Sequence, residues 1–348
     1  MTQIIRKVDG DAIKHRRLET WLQTIGGFAL LGAFMWIAFW ATGFSFRFQA
    51  GFWLLYPLIG VLSWMFSDKI SLYITKSVPL DRESAEGKRI YPIVERLMPK
   101  TGLSHTPPVF FAPNPLPNAF ATGPFPARAV IAITAGLLDP EMGMTDDEIE
   151  GVLAHELAHV KNGDVGINSL FGVFSTLFFQ IFAAVVDGWV SMIKVIKRPV
   201  GLENKKLLPA IVGTIISNAI FYVAQQLMRI VQLFVVRSRE SGADALGAQF
   251  TQNPCALATG LLKLAKFVET HRPQTQREKA LWSSLNHAII INPMFDSTTV
   301  EEQPKDGGFI AKLKKLWTEL HYDHPPIPDR VVELEKMNGG ACPRPAGL

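Results

Sequence analysis

From Trp21 to about Phe44 the chain is apolar for long enough to cross a bilayer as a helix, a passage that takes roughly 20 helical residues. A secretory leader is the competing reading, but a leader's apolar stretch covers only about 7–15 residues before a small-residue cleavage site. This run is longer and carries Trp36 and Trp40, so it reads as a retained anchor. A second apolar run, Phe52 to Phe66, is short for a span and contains Pro57, and a short turn around Arg47 joins it to the first. Together they read as a transmembrane hairpin. Lys14, Arg16 and Arg17 stand before it and Lys69, Lys76 and Arg82 behind it, against Arg47 alone between the arms. The bias of positive charge towards the cytoplasm therefore places both ends inside.

Composition supports a chain partly in lipid. Hydrophobic residues make up 48% and charged residues 19% of the 348, where soluble domains carry about a quarter charged residues. The net charge of +4 and pI near 9.0 fit membrane topology better than nucleic acid, since no Lys/Arg run is interleaved with aromatics. Cys255 and Cys342 form no CxxC and read as reduced thiols, with no disulfide framework or thiolate zinc site.

The order along the chain is a cytoplasmic segment (1–21), the first hairpin (22–67), a globular part (68–164), a second hydrophobic hairpin (165–236), a second globular part (237–338) and a Pro/Gly-rich flexible tail (339–348). Short apolar runs at Val109–Phe111 and Ala129–Thr134 read as strands. The second hairpin is interrupted by Lys194, Lys197, Arg198, Lys205 and Lys206 against Glu203 alone, and its return arm holds Asn218, Gln225, Gln226 and Arg229. The apolar length from Val165 to Val186 permits a span, but a full crossing would put those positive charges outside, against the bias; a hairpin shallow or packed in part on protein and one that crosses completely both stay open, the first being the expectation. Asp187 is expected at the membrane interface.

At His155 the sequence reads HELAH, within a segment where Ile149, Val152, Leu153, Leu157 and Val160 recur at helical spacing. Thr145-Asp146-Asp147-Glu148 has the form of a capping box at the start of that helix, and Asn162-Gly163 marks its end. On a helix His155 and His159 share one face and can bind one metal ion, with Glu156 beside them. A catalytic zinc needs three protein ligands and one open position. No further histidine of the metzincin pattern follows His159. Glu240, in VRSRESGADA, is the best remaining donor, with Asp244 one turn on, where a carboxylate can orient a ligand imidazole. Gly242 and Ala243 would let the two helices approach closely. By spacing alone, Glu240 and Asp244 could equally pair at the surface with Arg237 and Arg239.

HELAHVKNGD, a hydrophobic hairpin and then RSRESGADALGAQFT together resemble the membrane-bound HtpX and Ste24 group of gluzincin peptidases, the HtpX-like branch most closely. The resemblance extends upstream to PNAFATGP (Pro117 to Pro124) and downstream to HPPIPDR (His324 to Arg330). It implies an α+β catalytic domain, mainly helical with a small β-sheet, held in a membrane by two hydrophobic hairpins. It implies one Zn2+ per chain on His155, His159 and Glu240, with Asp244 behind the ligands. Ser241 and Gly242 depart from the larger residues of many relatives, and residues beyond Leu334 match nothing.

In the mechanism these residues imply, zinc lowers the pKa of its water towards about 7 and Glu156 serves as general base without ligating. A second donor to the oxyanion would come from Arg237, His321, Tyr322 or His324. Asn118, Ala119, Phe120, Ala121 and Thr122 would form an exposed edge strand that pairs with an extended peptide, a recognition tolerant of sequence. The resemblance implies membrane proteins or unfolded polypeptides as substrates, in a quality-control role at a bacterial cytoplasmic membrane; the charge bias puts the site on the cytoplasmic side, and no nucleic acid is expected. Prenyl-protein processing as in the Ste24 branch, and an inactive membrane scaffold, are the rival readings.

Overall fold

A computed structural model describes residues 46–166, 239–271 and 326–345, with isolated helical positions at 18, 22, 25, 26, 29, 33, 36, 219 and 223. Nearly all of the first apolar run, nearly all of the second hairpin with Asp187, and the four candidate oxyanion donors Arg237, His321, Tyr322 and His324 lie outside the described residues.

The described chain opens with helix α1, Phe46–Met65, which includes Pro57. Arg47 therefore sits in the first turn of a helix and not in a turn between two arms. Among the described residues no helix is long and apolar enough to cross a membrane. Helix α2, Ser67–Ile74, follows almost directly. Apolar side chains on this stretch stay exposed, among them Leu54, Leu55, Leu58, Ile59 and Tyr73.

Strand β1 (Val78–Pro79) leads into helix α3 (Ala85–Thr101), whose N-cap Ser84 accepts a hydrogen bond from the Gly87 N–H at 2.9 Å. Strands β2 (Val109–Ala112), β3 (Ala119–Thr122) and β4 (Val130–Thr134) then complete a four-stranded sheet in the order β1-β2-β4-β3. β2 and β4 run parallel, and the two outer pairs antiparallel. β4 is buried at every residue, as its unbroken VIAIT run requires. β3 is an edge strand, as expected, though Asn118, Ala119, Phe120 and Thr122 have buried side chains and only Ala121 is partly open. What it leaves at the edge is backbone.

Helix α4, Asp146–Asn162, carries the HELAH sequence. Its boundaries follow the chemistry read above: Thr145 and Glu148 form the reciprocal capping box, and Gly163 closes the helix at φ 78°. Helix α5 covers 239–251, α6 is Pro254–Thr270 and α7 is Ile327–Asn338. α4 lies between β3 and α3 on one side and α6 on the other, and α7 packs on α6. Ile90, Leu97, Ile131, Leu153, Leu157 and Leu257 fill one core shared by sheet and helices.

Two glycines set the helix approaches. A Cβ on Gly151 would stand 2.6 Å from the Leu257 backbone nitrogen, so α4 and α6 meet backbone to backbone there. A Cβ on Gly247 would stand 3.0 Å from the His155 nitrogen. The close approach of α5 to α4 thus centres on Gly247, one turn beyond the expected Gly242-Ala243 pair.

Two expectations at the C-terminal end are overturned. Cys255 and Cys342 are joined in a disulfide, their Cα atoms 5.2 Å apart, where the sequence reading left reduced thiols. The separation of 87 residues carries no spacing signal; only the docking of α7 on α6 brings the pair together. The tail is also not free over its described part. Gly340 N–H caps onto the Glu335 carbonyl, the Cys342 N–H donates to Glu335 Oε1 at 3.0 Å, and Cys342 is 4% exposed.

Candidate metal centre

Helical spacing puts His155 and His159 one turn apart on α4, and both point into the interior, 1% and 6% exposed. Their Nε2 atoms lie 3.1 Å from each other. Glu240, 2% exposed on α5, brings Oε2 to 3.5 Å from His155 Nε2 and Oε1 to 3.3 Å from His159 Nε2. Among the described residues these three form the one group of His, Cys, Asp and Glu able to hold a metal ion. The separations fit zinc: tetrahedral bonds of about 2.0–2.1 Å leave neighbouring donors about 3.3–3.4 Å apart. The donor set of two imidazoles and one carboxylate also suits it.

Each imidazole is oriented from behind. His155 Nδ1 faces Asp244 Oδ1 at 2.9 Å, and His159 Nδ1 faces Asp164 Oδ2 at 3.1 Å. A proton on Nδ1 shared with a carboxylate leaves the Nε2 lone pair directed at the common centre. Each carboxylate is in turn held by an arginine. Arg330 of α7 donates through Nε and Nη2 to Asp244, at 2.8 and 2.7 Å. Arg239 of α5 donates through Nε to Asp164 Oδ1 at 3.0 Å and through Nη2 to the Asp164 carbonyl. Arg330 Nη1 also lies 3.5 Å from Glu240 Oε2.

Charge follows this geometry. Burial would raise the Asp244 carboxyl, but Arg330 and then His155 outweigh it and hold it below the usual range. Asp164 is lowered likewise, with Arg239 and His159 overcoming burial. His159 is pushed up to about 10, since Asp164 and Glu240 prevail over the desolvation that opposes its charge. His155 is raised for the same reasons, by Asp244 and Glu240. Burial pushes the Glu156 carboxyl up, against the pull of His155, His159 and the Ala121 N–H.

Glu156 is 4% exposed beside the ligands and does not join them. Its Oε2 accepts the Ala121 N–H of β3 at 2.8 Å. The structure thus brings together His155, Glu156, His159, Glu240, Asp244 and the edge strand. Sequence reasoning missed Asp164, Arg239 and Arg330 as supports. Asp164 closes the HELAHVKNGD segment and Arg330 closes HPPIPDR, so both lay within recognised stretches. Spacing allows Arg239 a surface pair with Glu240 or Asp244, but it turns instead to Asp164, 75 residues away.

The model of peptidase family M48 matches residues 84–338, which hold every residue of this centre. A protease HtpX homolog of Pelotomaculum thermopropionicum is 33% identical over 279 residues, covering 80% of this chain and 85% of its own length. A protease HtpX homolog of Syntrophobacter fumaroxidans is 34% identical over 309 residues, covering 89% of this chain and 96% of its own. The crystal structure of S. mikatae Ste24p is similar at a TM-score of 0.44 and 20% identity, over 91% of this chain and 67% of that one. With a family match across most of its length and relatives of this identity, the chain belongs to peptidase family M48, on its HtpX-like side.

Proposed function

We propose that this chain is a membrane-bound zinc endopeptidase that hydrolyses peptide bonds in membrane proteins or unfolded polypeptides. The observation that carries the reading is the buried convergence of His155, His159 and Glu240 from two helices, with Glu156 beside them and outside the ligand set. Zinc bound by those three supplies Lewis acidity that acidifies water and polarises the scissile carbonyl.

The chain's own residues account for the rest. Asp244 and Asp164 fix the imidazoles, and Arg330 and Arg239 fix the carboxylates. Glu156 takes the water proton and delivers it to the leaving amine. The backbone edge of β3 favours an extended peptide of broad sequence, as quality control of damaged proteins requires. The exposed apolar residues of α1 and α2 support a lipid-facing surface.

The test is made on the full chain in detergent, with zinc content and cleavage of a fluorophore-labelled unfolded protein measured together. One zinc per chain with cleavage is expected for the wild type, and one zinc without cleavage for Glu156→Gln. Cleavage that survives in Glu156→Gln would overturn the assignment.

A further inference from the structure

Helix α2 reverses the usual amphipathic order. A helix packed on a soluble domain turns its apolar stripe inward and its polar residues to solvent. On α2 (Ser67–Ile74) the polar residues Ser67, Asp68 and Ser71 share the face that meets the catalytic domain. Asp68 accepts two hydrogen bonds from Arg128 Nη2, at 3.0 and 2.9 Å, in the connection between β3 and β4. Ser71 Oγ lies 3.2 Å from Thr122 Oγ1 of β3. The opposite face holds Phe66, Ile70, Tyr73 and Ile74, all exposed, Tyr73 at 85%. Just before the helix, Trp64 of α1 donates through Nε1 to the Gly166 carbonyl at 2.9 Å, two residues beyond Asp164.

The charges beside this apolar face identify its occupant. From Phe46 to Leu80 the one acidic residue is Asp68, which is turned inward and paired with Arg128, whereas Lys69 and Lys76 are exposed. The outward charge is therefore positive. Lys69 Nζ sits 5.7 Å from the Phe66 ring centroid, so the charge stands within the apolar face, where the core of a protein interface is depleted of lysine. An apolar face that carries lysines and a polar-tipped aromatic fits the headgroup layer of an anionic bilayer. We infer that α2 is an interfacial helix: Phe66, Ile70, Tyr73 and Ile74 enter the boundary between headgroups and acyl chains, Lys69 and Lys76 meet anionic headgroups, and Asp68 and Ser71 hold β3 and its following turn on the inner side. This placement rests on the membrane-bound reading and adds which face of the domain meets lipid and which headgroup charge it selects. The metal centre is thereby held at the bilayer surface through polar ties.

The full chain is reconstituted in nanodiscs of mixed phosphatidylcholine and phosphatidylglycerol, with photoreactive benzoylphenylalanine in place of Tyr73 or, as control, of the exposed Glu83. Both side chains face outward, so neither replacement disturbs packing. After irradiation, mass spectrometry should find lipid adducts at position 73 and close to none at 83, with phosphatidylglycerol enriched severalfold over its share in the disc. Lys69→Gln with Lys76→Gln should return the adducts to the bulk lipid ratio. Insertion into the disc with no lipid at 73, adducts there to polypeptide instead, or equal lipid at both positions overturns the interfacial helix while the membrane-bound reading stands. A bulk lipid ratio with both lysines in place overturns the headgroup selection. A chain that does not enter the disc at all overturns both readings.

Discussion

Each ligand histidine leans on a carboxylate, and each carboxylate on a guanidinium. Asp164 and Asp244 do not touch the ligand centre except through the imidazoles, so Asp164→Ala and Asp244→Ala should each weaken zinc about 10- to 100-fold, read by chelator titration. Unchanged titration curves would reduce these residues to structural ion pairs. Arg330→Met is the harsher change, because it strips the cation from two buried acids, Asp244 and Glu240. Removing one partner of a buried pair costs about 3–5 kcal/mol, so a clear fall in the denaturant midpoint is expected. Protons enter the same account. The His159 pKa is raised from 6.5 to about 10, so its charged pairing stabilises the metal-free fold fully below 6.5, and that contribution disappears as pH rises through about 10. Zinc must displace that proton, so its affinity should climb with pH across this window, and calorimetry in buffers of different ionisation enthalpy should show proton release. Binding without proton release at pH 7 would contradict it.

Helices tell which parts of this protein were legible in advance. α4 could be drawn to the residue because its signals are local: Thr145 and Glu148 at one end, Gly163 at the other, and an apolar stripe between. Thr145→Ala should cost about 1 kcal/mol by losing that cap. The approach of α4 to α6 at Gly151 was not legible, since nothing near Gly151 in sequence announces that Leu257 will lie against it. Gly151→Val should destabilise by about 1–3 kcal/mol through forced separation of the backbones, with a lowered melting temperature as the readout. Long-range supports were hidden for the same reason. Glu240 was reached by spacing plus family resemblance, whereas Arg239 and the Cys255–Cys342 pair depend on how α5, α6 and α7 dock. The disulfide ties the start of α6 to the chain just after α7, the helix that presents Arg330. Its reduction should remove about 2–5 kcal/mol and loosen zinc with it, as melting and chelator titration with and without reductant would show. Equal stability in both states would mean the docking of α7 does not depend on the bridge.

For the whole molecule, charge placement and redox chemistry pull against each other. Lysines and arginines on both sides of the first apolar pair favour a catalytic domain in the cytoplasm, a compartment that keeps thiols reduced. A cytoplasmic site predicts that Cys255 and Cys342 alkylate in freshly lysed cells and become protected only after mild oxidation. Protection in the native cell would place the domain on the other side. The metal assignment does not depend on topology: in it His155, His159 and Glu240 hold one zinc, and Glu156 works beside it without binding it. Zinc stoichiometry of the purified full chain, measured after a fixed chelator challenge, tests this most directly. One zinc per chain is expected in the wild type and in Glu156→Gln, and close to none in Glu240→Ala. Full zinc in Glu240→Ala, or its loss from Glu156→Gln, would contradict it.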